Sequence, residues 1–372
     1  MMHRRENSRG TSLAIVGCTG AVGQECCSIL ESRATSFDSN ITLFASPRSA
    51  GQQRTLGGKT LTIRPLERGC FDDIDIAIFA AGSAISREWA AIAVDADTYV
   101  IDNSSAFRMH AEVPLIVPEV NGDTLNNVRE RPCIIANPNC STIIALLVVT
   151  PLHRVARITR MVISTYQAVS GAGAAAMHEL EAQARDYAAG RALSHNIFPQ
   201  PILFNLFSHN SSIGPDGCNE EERKLSNETH KIWNDGTIAI TATCVRVPVL
   251  RCHAEAINLS FASPLDETRA RDILAGAAGV SVIDDRENNQ FPEPRLATGQ
   301  DDIFVGRIRN DPSQPPGMGL NLFVCGDQLR KGAALNAIQI AEMIAEKRVV
   351  SGCDQNRERL PDPPIASRHA AR

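Results

Sequence analysis

Cys140 is the residue of this sequence best placed for covalent chemistry. It lies in ANPNCST, residues 136–142, after an apolar run typical of a strand and before IIALLVV, which predicts a helix. In the first turn of a helix, unpaired amides and the positive end of the dipole favour the nucleophilic thiolate. A buried, inert core cysteine is the alternative, and the helix start alone leaves both interpretations open.

His253 is the candidate acid–base partner that such a nucleophile needs. It follows Arg246 by seven residues in RVPVLRCH. An odd separation along one straight strand places two side chains on opposite faces, so a shared site requires a bend or bulge at Pro248. Taken alone, any one of the 9 histidines is more often structural or exposed than catalytic.

Three further charged side chains stand out. Glu221 and Lys224 are three residues apart in EEERK, at the predicted start of a helix, and therefore share a face. A solvated helix N-terminus rich in acid is the alternative, and it is the stronger interpretation for most of this run. Arg108 is an isolated cation that follows NSSAF, near the end of a predicted strand.

The segment GCTGAVG, residues 17–23, is typical of a strand-to-helix turn that contacts a dinucleotide. Its glycines let the backbone approach a pyrophosphate, which then lies at a helix N-terminus. The spacing is G-x-x-G-x-x-G, and a tight turn without a ligand is the alternative. We predict cofactor contacts at Gly17, Thr19, Gly20, Ala21, Val22 and Gly23.

The end of the next strand indicates which dinucleotide binds. A site that prefers NAD usually has an acidic residue there, which binds the ribose 2′-hydroxyl. Residues 45–49 are ASPRS, with no carboxylate. Arg48, between Ser46 and Ser49, suits a 2′-phosphate, so the segment favours NADP; a solvated loop arginine is the alternative.

The elements that must position these residues are of two kinds. As far as about residue 157, short apolar strand patterns alternate with helical patterns, which predicts a parallel α/β sheet covered on both faces. After that point, long alternating segments predict strands of a larger antiparallel or mixed sheet. A last helix is predicted over 331–346, followed by a loose tail from Ser351.

Length and composition exclude several classes of protein. The 372 residues suggest two domains, and 43% hydrophobic with 21% charged residues is ordinary for a globular protein. A net charge of −5 gives no basic surface for nucleic acid or an anionic membrane. Without a signal sequence or a spanning segment, we expect a cytoplasmic protein. In the cytosol its 11 cysteines would be reduced, so we expect no disulfides. They contain no C-x-x-C pair, so we expect no metal site either.

Together, these motifs resemble the aspartate-β-semialdehyde dehydrogenase family. They occur in the family's order between residues 17 and 342, and ANPNCST, QAVSGAG and the arginine-to-histidine segment are the specific ones. The matching segments are GCTGAVG, FAAGS, IDNSSAFR, PLIVPEVN, ANPNCST, TYQAVSGAG, EERK, VRVPVLRCHAEA and GDQLRKGAALNAIQIAE.

The resemblance implies an α/β fold with a Rossmann-type nucleotide-binding domain plus an α+β catalytic and dimerisation domain with a large mixed sheet. Residues 1–137 and 332–372 would form the first domain, and 138–331 the second. It implies a homodimeric, NADP-dependent, phosphorylating aldehyde dehydrogenase that needs no metal. The reaction would be the reversible reduction of L-aspartyl 4-phosphate to L-aspartate 4-semialdehyde through a cysteine thioester, in biosynthesis of lysine, diaminopimelate, threonine, methionine and isoleucine.

The resemblance also implies a role for each site residue. Cys140 would be the nucleophile, His253 the general acid–base, and Gln167 the residue that orients the acyl group. Arg246 and Glu221 would hold the substrate's α-carboxylate and α-amino group. The remaining assignments are a phosphate pocket of Arg108, Lys224 and Asn103, and cofactor contacts from Ser170, Gly171 and Gln328, the last near the nicotinamide.

Two other functions stay open at this stage. One is another acyl-phosphate reductase, such as N-acetylglutamyl-phosphate reductase, whose substrate has an uncharged nitrogen and less use for Glu221. The other is a non-catalytic nucleotide-binding protein on the same scaffold, which would have no need of Cys140 or His253.

Overall fold

The structure, a computed structural model, describes residues 10–33, 35, 37, 40–127 and 131–357. Over these residues the chain forms two large sheets and one small hairpin. None of the helices in these ranges is long and apolar enough to cross a membrane.

The first large sheet has six parallel strands, as the alternating pattern predicted. In chain order the strands of this half are β1 (Leu13–Val16), β2 (Ile41–Ala45), β3 (Gln53–Leu56), β4 (Lys59–Thr62), β5 (Arg64–Pro65), β6 (Ile76–Phe79), β7 (Tyr99–Asp102) and β8 (Ile134–Ala136). The sheet order is β5-β2-β1-β6-β7-β8, and every neighbouring pair is parallel. All residues of β1, β6 and β7 are buried, which is why these strands are almost continuously apolar.

The helices of this half are α1 (Ala21–Ser32), α2 (Ser83–Asp95) and α3 (Pro118–Asn121). Strands β3 and β4 form a separate antiparallel hairpin that the sequence did not predict. Most of their residues are polar and exposed, so neither strand gives an apolar alternation.

The second large sheet has seven strands of mixed direction. Its strands are β9 (Ile158–Gln167), β10 (Phe207–Ser208), β11 (Ala239–Arg246), β12 (His253–Phe261), β13 (Val280–Val282), β14 (Ile303–Asn310) and β15 (Gly319–Gly326). Their order is β10-β11-β9-β12-β15-β14-β13, with β11–β9 and β13–β14 parallel and the other pairs antiparallel. The prediction of a large mixed sheet is confirmed.

Six further helices complete the described fold: α4 (Cys140–Val155), α5 (Ala174–Ala188), α6 (Glu220–Trp233), α7 (Glu267–Ala275), α8 (Pro294–Ala297) and α9 (Leu335–Arg357). Helix α4 is buried over most of its length and joins the largest core, with residues of β9, β12 and β15. Helix α9 instead packs on the first sheet, where Ile338 and Ile340 join the core around Leu13 and Ile15.

Helix α9 corrects one expectation. It runs to Arg357, so the loose tail predicted from Ser351 is wrong for residues 351–357. No proline interrupts this stretch before Pro361, and a helix that packing has already nucleated extends one residue at a time. Residues 358–372 lie outside the described part of the chain.

Candidate active site

A cavity of about 610 Å³ is lined by helix and loop residues of the first half of the fold and by strand, helix and loop residues of the second. The predicted site residues that line it are Ala21, Val22, Arg108, Cys140, Gln167, Ser170, Gly171, Glu221, Lys224, Arg246, His253 and Gln328. The other predicted site residues are outside this lining: Gly17, Thr19, Gly20, Gly23, Ser46, Arg48, Ser49 and Asn103.

Cys140 is the first residue of α4, as the sequence predicted. Asn139 caps this helix, and its side-chain oxygen accepts hydrogen bonds from the amides of Ser141 at 3.0 Å and Thr142 at 3.4 Å. Gly332, in the π-helical segment Arg330–Ala334 before α9, lies so close that an added Cβ would be 3.1 Å from the Cys140 Cβ. The thiol is therefore held between two helix starts.

The charge state of Cys140 departs from the sequence-based expectation. Burial raises the pKa of the thiol to about 12, and the charge of Glu221 acts in the same direction. Arg108 and Arg246 lower the pKa but do not outweigh burial. The Ser141 amide at the helix start does lower the pKa, as predicted, but desolvation of the thiolate raises the pKa by more, so the thiol form is favoured.

His253 is the first residue of β12 and is fully buried. Its Nδ1 accepts a hydrogen bond from the Ala168 amide at 3.1 Å, and its Nε2 has no partner. Burial, followed by the charge of Arg246, lowers the pKa of the imidazole to about 3, so the ring is neutral. Because Nδ1 is an acceptor, the single ring proton is assigned to Nε2.

Arg246 ends β11, whereas His253 begins β12, and the two strands lie on opposite sides of β9. The bend predicted at Pro248 is thus a loop between two separate strands. The Arg246 guanidinium donates to the Ala168 carbonyl at 2.8 Å and to His209 Nε2 at 2.8 Å. Sequence analysis missed His209, which follows a two-residue strand in an irregular segment with no recognisable pattern.

Glu221 is in the first turn of α6 and is only 4% exposed, so it is not part of a solvated helix end. Its carboxylate accepts from Lys224 Nζ at 3.0 Å, Asn139 Nδ2 at 2.7 Å and Gln167 Nε2 at 3.3 Å. Burial raises the pKa of Glu221, but Lys224, His209 and these hydrogen bonds together lower it to about 2. The site therefore has a fixed negative charge beside the thiol.

Arg108 is anchored by a buried carboxylate that the sequence analysis missed. Its Nη1 lies 3.1 Å from Glu228 Oε1, and the other Glu228 oxygen accepts from the Asn139 amide at 2.6 Å. Glu228 follows Glu221 by seven residues, two turns further along the same face of α6, and this spacing is the signal that could have identified it.

The side chain of Asn103 is engaged by protein atoms. Its Oδ1 accepts from Asn137 Nδ2 at 2.9 Å, and its Nδ2 donates to the Phe79 carbonyl at 3.2 Å. Its own carbonyl accepts from Arg108 Nη2 at 2.9 Å. The backbone carbonyl of Asn103 thus helps to hold the Arg108 guanidinium, while its side chain is bonded to other protein atoms.

The glycine turn has the tight geometry that its sequence predicted. Gly17 has φ +89°, and a Cβ on Gly23 would lie 2.2 Å from the Gly17 carbonyl oxygen. Gly20 is the N-cap of α1. Because these positions have no side chains, nothing from them covers the backbone amides at this helix N-terminus, as phosphate binding requires.

The remaining cofactor candidates lie in two other segments of the chain. Residues 46–49 form a turn after β2, closed by a hydrogen bond from the Ser49 amide to the Ser46 carbonyl at 2.9 Å, and Arg48 is exposed. Ser170 accepts a hydrogen bond from Gln328 Nε2, and Gln328 Oε1 accepts from the Cys252 amide at 2.9 Å. Within the described ranges, no cluster of three or more His, Cys, Asp or Glu side chains could hold a metal ion.

Comparisons with known proteins agree with this architecture. Residues 12–128 match the family model "Semialdehyde dehydrogenase, NAD binding domain", and residues 149–331 match "Semialdehyde dehydrogenase, dimerisation domain". The aspartate-semialdehyde dehydrogenase of Synechocystis is 48% identical over 335 residues, covering 90% of this chain and 97% of its own. That of Prochlorococcus marinus is 48% identical over 336 residues, covering 90% of this chain and 96% of its own.

A solved structure is also similar. The crystal structure of aspartate semialdehyde dehydrogenase II from Vibrio cholerae, complexed with ASA, has a TM-score of 0.87 and 40% identity. It covers 91% of this chain, and the match includes 99% of that protein. Fold and site define a two-domain oxidoreductase that uses a nicotinamide dinucleotide. More particularly, the chain belongs to the aspartate-semialdehyde dehydrogenase family.

Proposed function

We propose that this enzyme reduces L-aspartyl 4-phosphate to L-aspartate 4-semialdehyde, reversibly, through a thioester on Cys140. The observation that carries the proposal is the convergence of Cys140, Gln167, His253, Arg246 and Glu221 on one cavity. These side chains supply a nucleophile, a polar amide, a ring N–H donor, a cation and an anion.

Substrate binding follows from charge. Arg246, which retains an unpartnered Nε, suits the α-carboxylate, and Glu221 suits the α-ammonium group. Arg108 and Lys224 line the same cavity and suit the phosphate. The α-ammonium group would also neutralise the charge of Glu221, which helps to raise the pKa of Cys140, so substrate binding would itself favour thiol activation.

The chemistry assigned to the protein is nucleophilic. The Cys140 sulfur attacks the acyl carbon, phosphate leaves, and the aspartyl group remains on the enzyme as a thioester. His253 Nε2 already carries a proton, so the departing phosphate is the acceptor that we assign for the thiol proton. The Nε2–H group of His253 would then donate a hydrogen bond to the oxygen of the reacting acyl group. In its proposed acid–base role, His253 would protonate and deprotonate that oxygen at the thiohemiacetal stage.

NADPH supplies the hydride when it is bound. The cofactor's pyrophosphate would lie against the turn formed by Gly17, Thr19, Gly20, Ala21, Val22 and Gly23. The tight form of this turn depends on glycine, because a Cβ at Gly23 would clash with the Gly17 carbonyl oxygen. Ser46, Arg48 and Ser49 would hold the 2′-phosphate that distinguishes NADP from NAD. Ser170 and Gly171 would lie beside the cofactor, and Gln328 would lie near the nicotinamide.

We also propose that residues 1–137 and 332–372 form the nucleotide domain and 138–331 the catalytic domain. The return of α9 to the first core supports this division. The match to a dimerisation domain supports a homodimer, which sedimentation would test. A cytoplasmic location is proposed as well, and cell fractionation would test it.

The deciding experiment offers aspartate semialdehyde and N-acetylglutamate semialdehyde separately, each with NADP and phosphate. We expect phosphate-dependent reduction of NADP with the first aldehyde alone, since Glu221 provides an anion for a free ammonium group. Turnover of the N-acetylated aldehyde alone would establish the other acyl-phosphate reductase. Activity with neither, together with intact NADP binding, would establish the non-catalytic alternative.

A further inference from the structure

Glu255 is a buried carboxyl group that the proposed mechanism does not use. It lies on β12, two residues after His253, and is 0% exposed. Neither of its carboxyl oxygens completes a hydrogen bond. A side chain of this kind in the interior, so close to a reacting centre, needs a physical explanation.

The surroundings of Glu255 contain hydroxyl groups. Thr165 is its direct partner across the β9–β12 ladder, and the Thr165 Oγ1 also lacks a hydrogen-bond partner. Burial raises the pKa of Glu255 well above its usual value, opposed by the Ser141 side chain. A carboxylate taken out of water without a compensating cation is very costly, so the group is a neutral carboxylic acid.

Ser141 connects this acid to the active site. Its Oγ accepts a hydrogen bond from Gln167 Nε2 at 2.9 Å, and Ser141 follows Cys140 in the first turn of α4. A hydroxyl oxygen has two lone pairs, so Ser141 has room for a second donor. Glu255 is paired with Thr165, which lies two residues before Gln167 and therefore on the same face of β9. The Glu255 carboxyl group thus faces the side of the sheet on which Gln167 contacts Ser141. A neutral carboxylic acid has one proton that it can donate to such a hydroxyl oxygen.

We propose that Glu255 is a positioning residue: its buried carboxyl group donates a hydrogen bond to Ser141 Oγ and thereby fixes the hydroxyl that holds the Gln167 amide beside Cys140. The inference rests on the proposed function, because it assigns to Gln167 the orientation of the acyl group. Glu221 also holds Gln167, but from the substrate side, where its charge is needed for the ammonium group. Glu255 would hold the amide from the protein side, through a contact that substrate does not disturb.

Two substitutions separate this role from simple packing. Glu255→Gln replaces a neutral acid by a neutral amide of the same shape that still donates to Ser141, so we expect kcat within about twofold of wild type. Glu255→Leu fills the space but removes the donor, so we expect kcat to fall roughly tenfold or more with KM for the semialdehyde within about twofold. Ile257→Val, on the same face of β12, is the packing control, and it should leave both constants nearly unchanged.

Three outcomes of these measurements would overturn the proposal. Glu255→Gln as slow as Glu255→Leu would show that a charged carboxylate is required. An unchanged kcat in Glu255→Leu would show that Ser141 needs no anchor. A rise in KM without a fall in kcat would place the effect in substrate binding and not in acyl orientation.

A spectroscopic measurement on the full-length protein is independent of turnover. The infrared carbonyl stretch of a protonated carboxyl group should be present in wild type near neutral pH and lost in Glu255→Gln. A carboxylate spectrum for Glu255 would overturn the inference even if the enzyme is active. Conversely, absence of phosphate-dependent activity in wild type would refute the proposed function and leave the protonation result standing.

Discussion

The Arg108–Glu228 ion pair supports a prediction about stability that can be worked through from the structure. The two side chains are 9% and 2% exposed and approach to 3.1 Å. Glu228 also accepts from the Asn139 amide at 2.6 Å, at the cap of the helix that begins with Cys140. The perturbation is Glu228→Gln, which keeps the shape of the side chain and removes its charge.

The expected cost follows from burial of the pair. Removing one partner of a buried ion pair leaves an uncompensated charge and typically costs about 3–5 kcal/mol. Glutamine can still accept one hydrogen bond, so we expect the lower end, about 3 kcal/mol. At roughly 2–4 °C per kcal/mol for a domain of this size, Tm should fall by roughly 6–12 °C.

The assays are denaturant unfolding of the full chain, which gives the free energy of unfolding, and a thermal melt, which gives Tm. Both use one fixed protein concentration, because assembly changes apparent stability. Asp186→Asn is the matched control, since its partner Arg191 is 61% exposed and the pair lies at the surface. Such a pair is worth less than about 1 kcal/mol. If Glu228→Gln costs no more than this control, the argument that Arg108 depends on a buried counter-charge is refuted.

Three further predictions concern the cofactor turn, the 2′-phosphate and the pH dependence of stability. Gly23→Ala should abolish NADP binding, because its Cβ would lie 2.2 Å from the Gly17 oxygen, whereas Gly20→Ala, with a nearest contact of 3.4 Å, should leave the thermal stability of the unliganded protein nearly unchanged. Arg48→Ala should weaken NADP binding far more than NAD binding in calorimetric titrations, and equal effects would remove Arg48 from the 2′-phosphate site. The pKa of Glu221 is lowered to about 2 from 4.5, so its charge stabilises the fold above pH 4.5 and this contribution is lost as pH falls toward 2. The stability difference between wild type and Glu221→Gln should therefore shrink over that range in acid unfolding, and a constant difference would contradict the shift.

Much of the fold could be predicted because its signals are local. Strands β1, β6 and β7 are buried on both faces and therefore almost wholly apolar. The β3–β4 hairpin could not be predicted, because its exposed polar residues give no alternation. The extension of α9 beyond Ser351 was also missed, since polar residues can continue a helix without leaving an apolar pattern.

The site shows the same division between local and long-range information. The helix start at Cys140 and the shared face of Glu221 and Lys224 follow from neighbouring residues in the sequence. The raised pKa of Cys140 could not be predicted, because it arises from burial beneath segments far away in the chain. His209 was missed for a similar reason, as its contact with Arg246 joins two strands through an irregular loop.

The central claim is that Cys140 carries the acyl group, and it is tested most directly by omitting phosphate. Enzyme is mixed with aspartate semialdehyde and NADP without phosphate, quenched in acid, digested and examined by mass spectrometry. The account predicts a burst of NADPH close to one per active site, with an aspartyl group on the Cys140 peptide that disappears when phosphate is added. Acylation of another residue, or phosphate-dependent turnover that persists in Cys140→Ser, would contradict it.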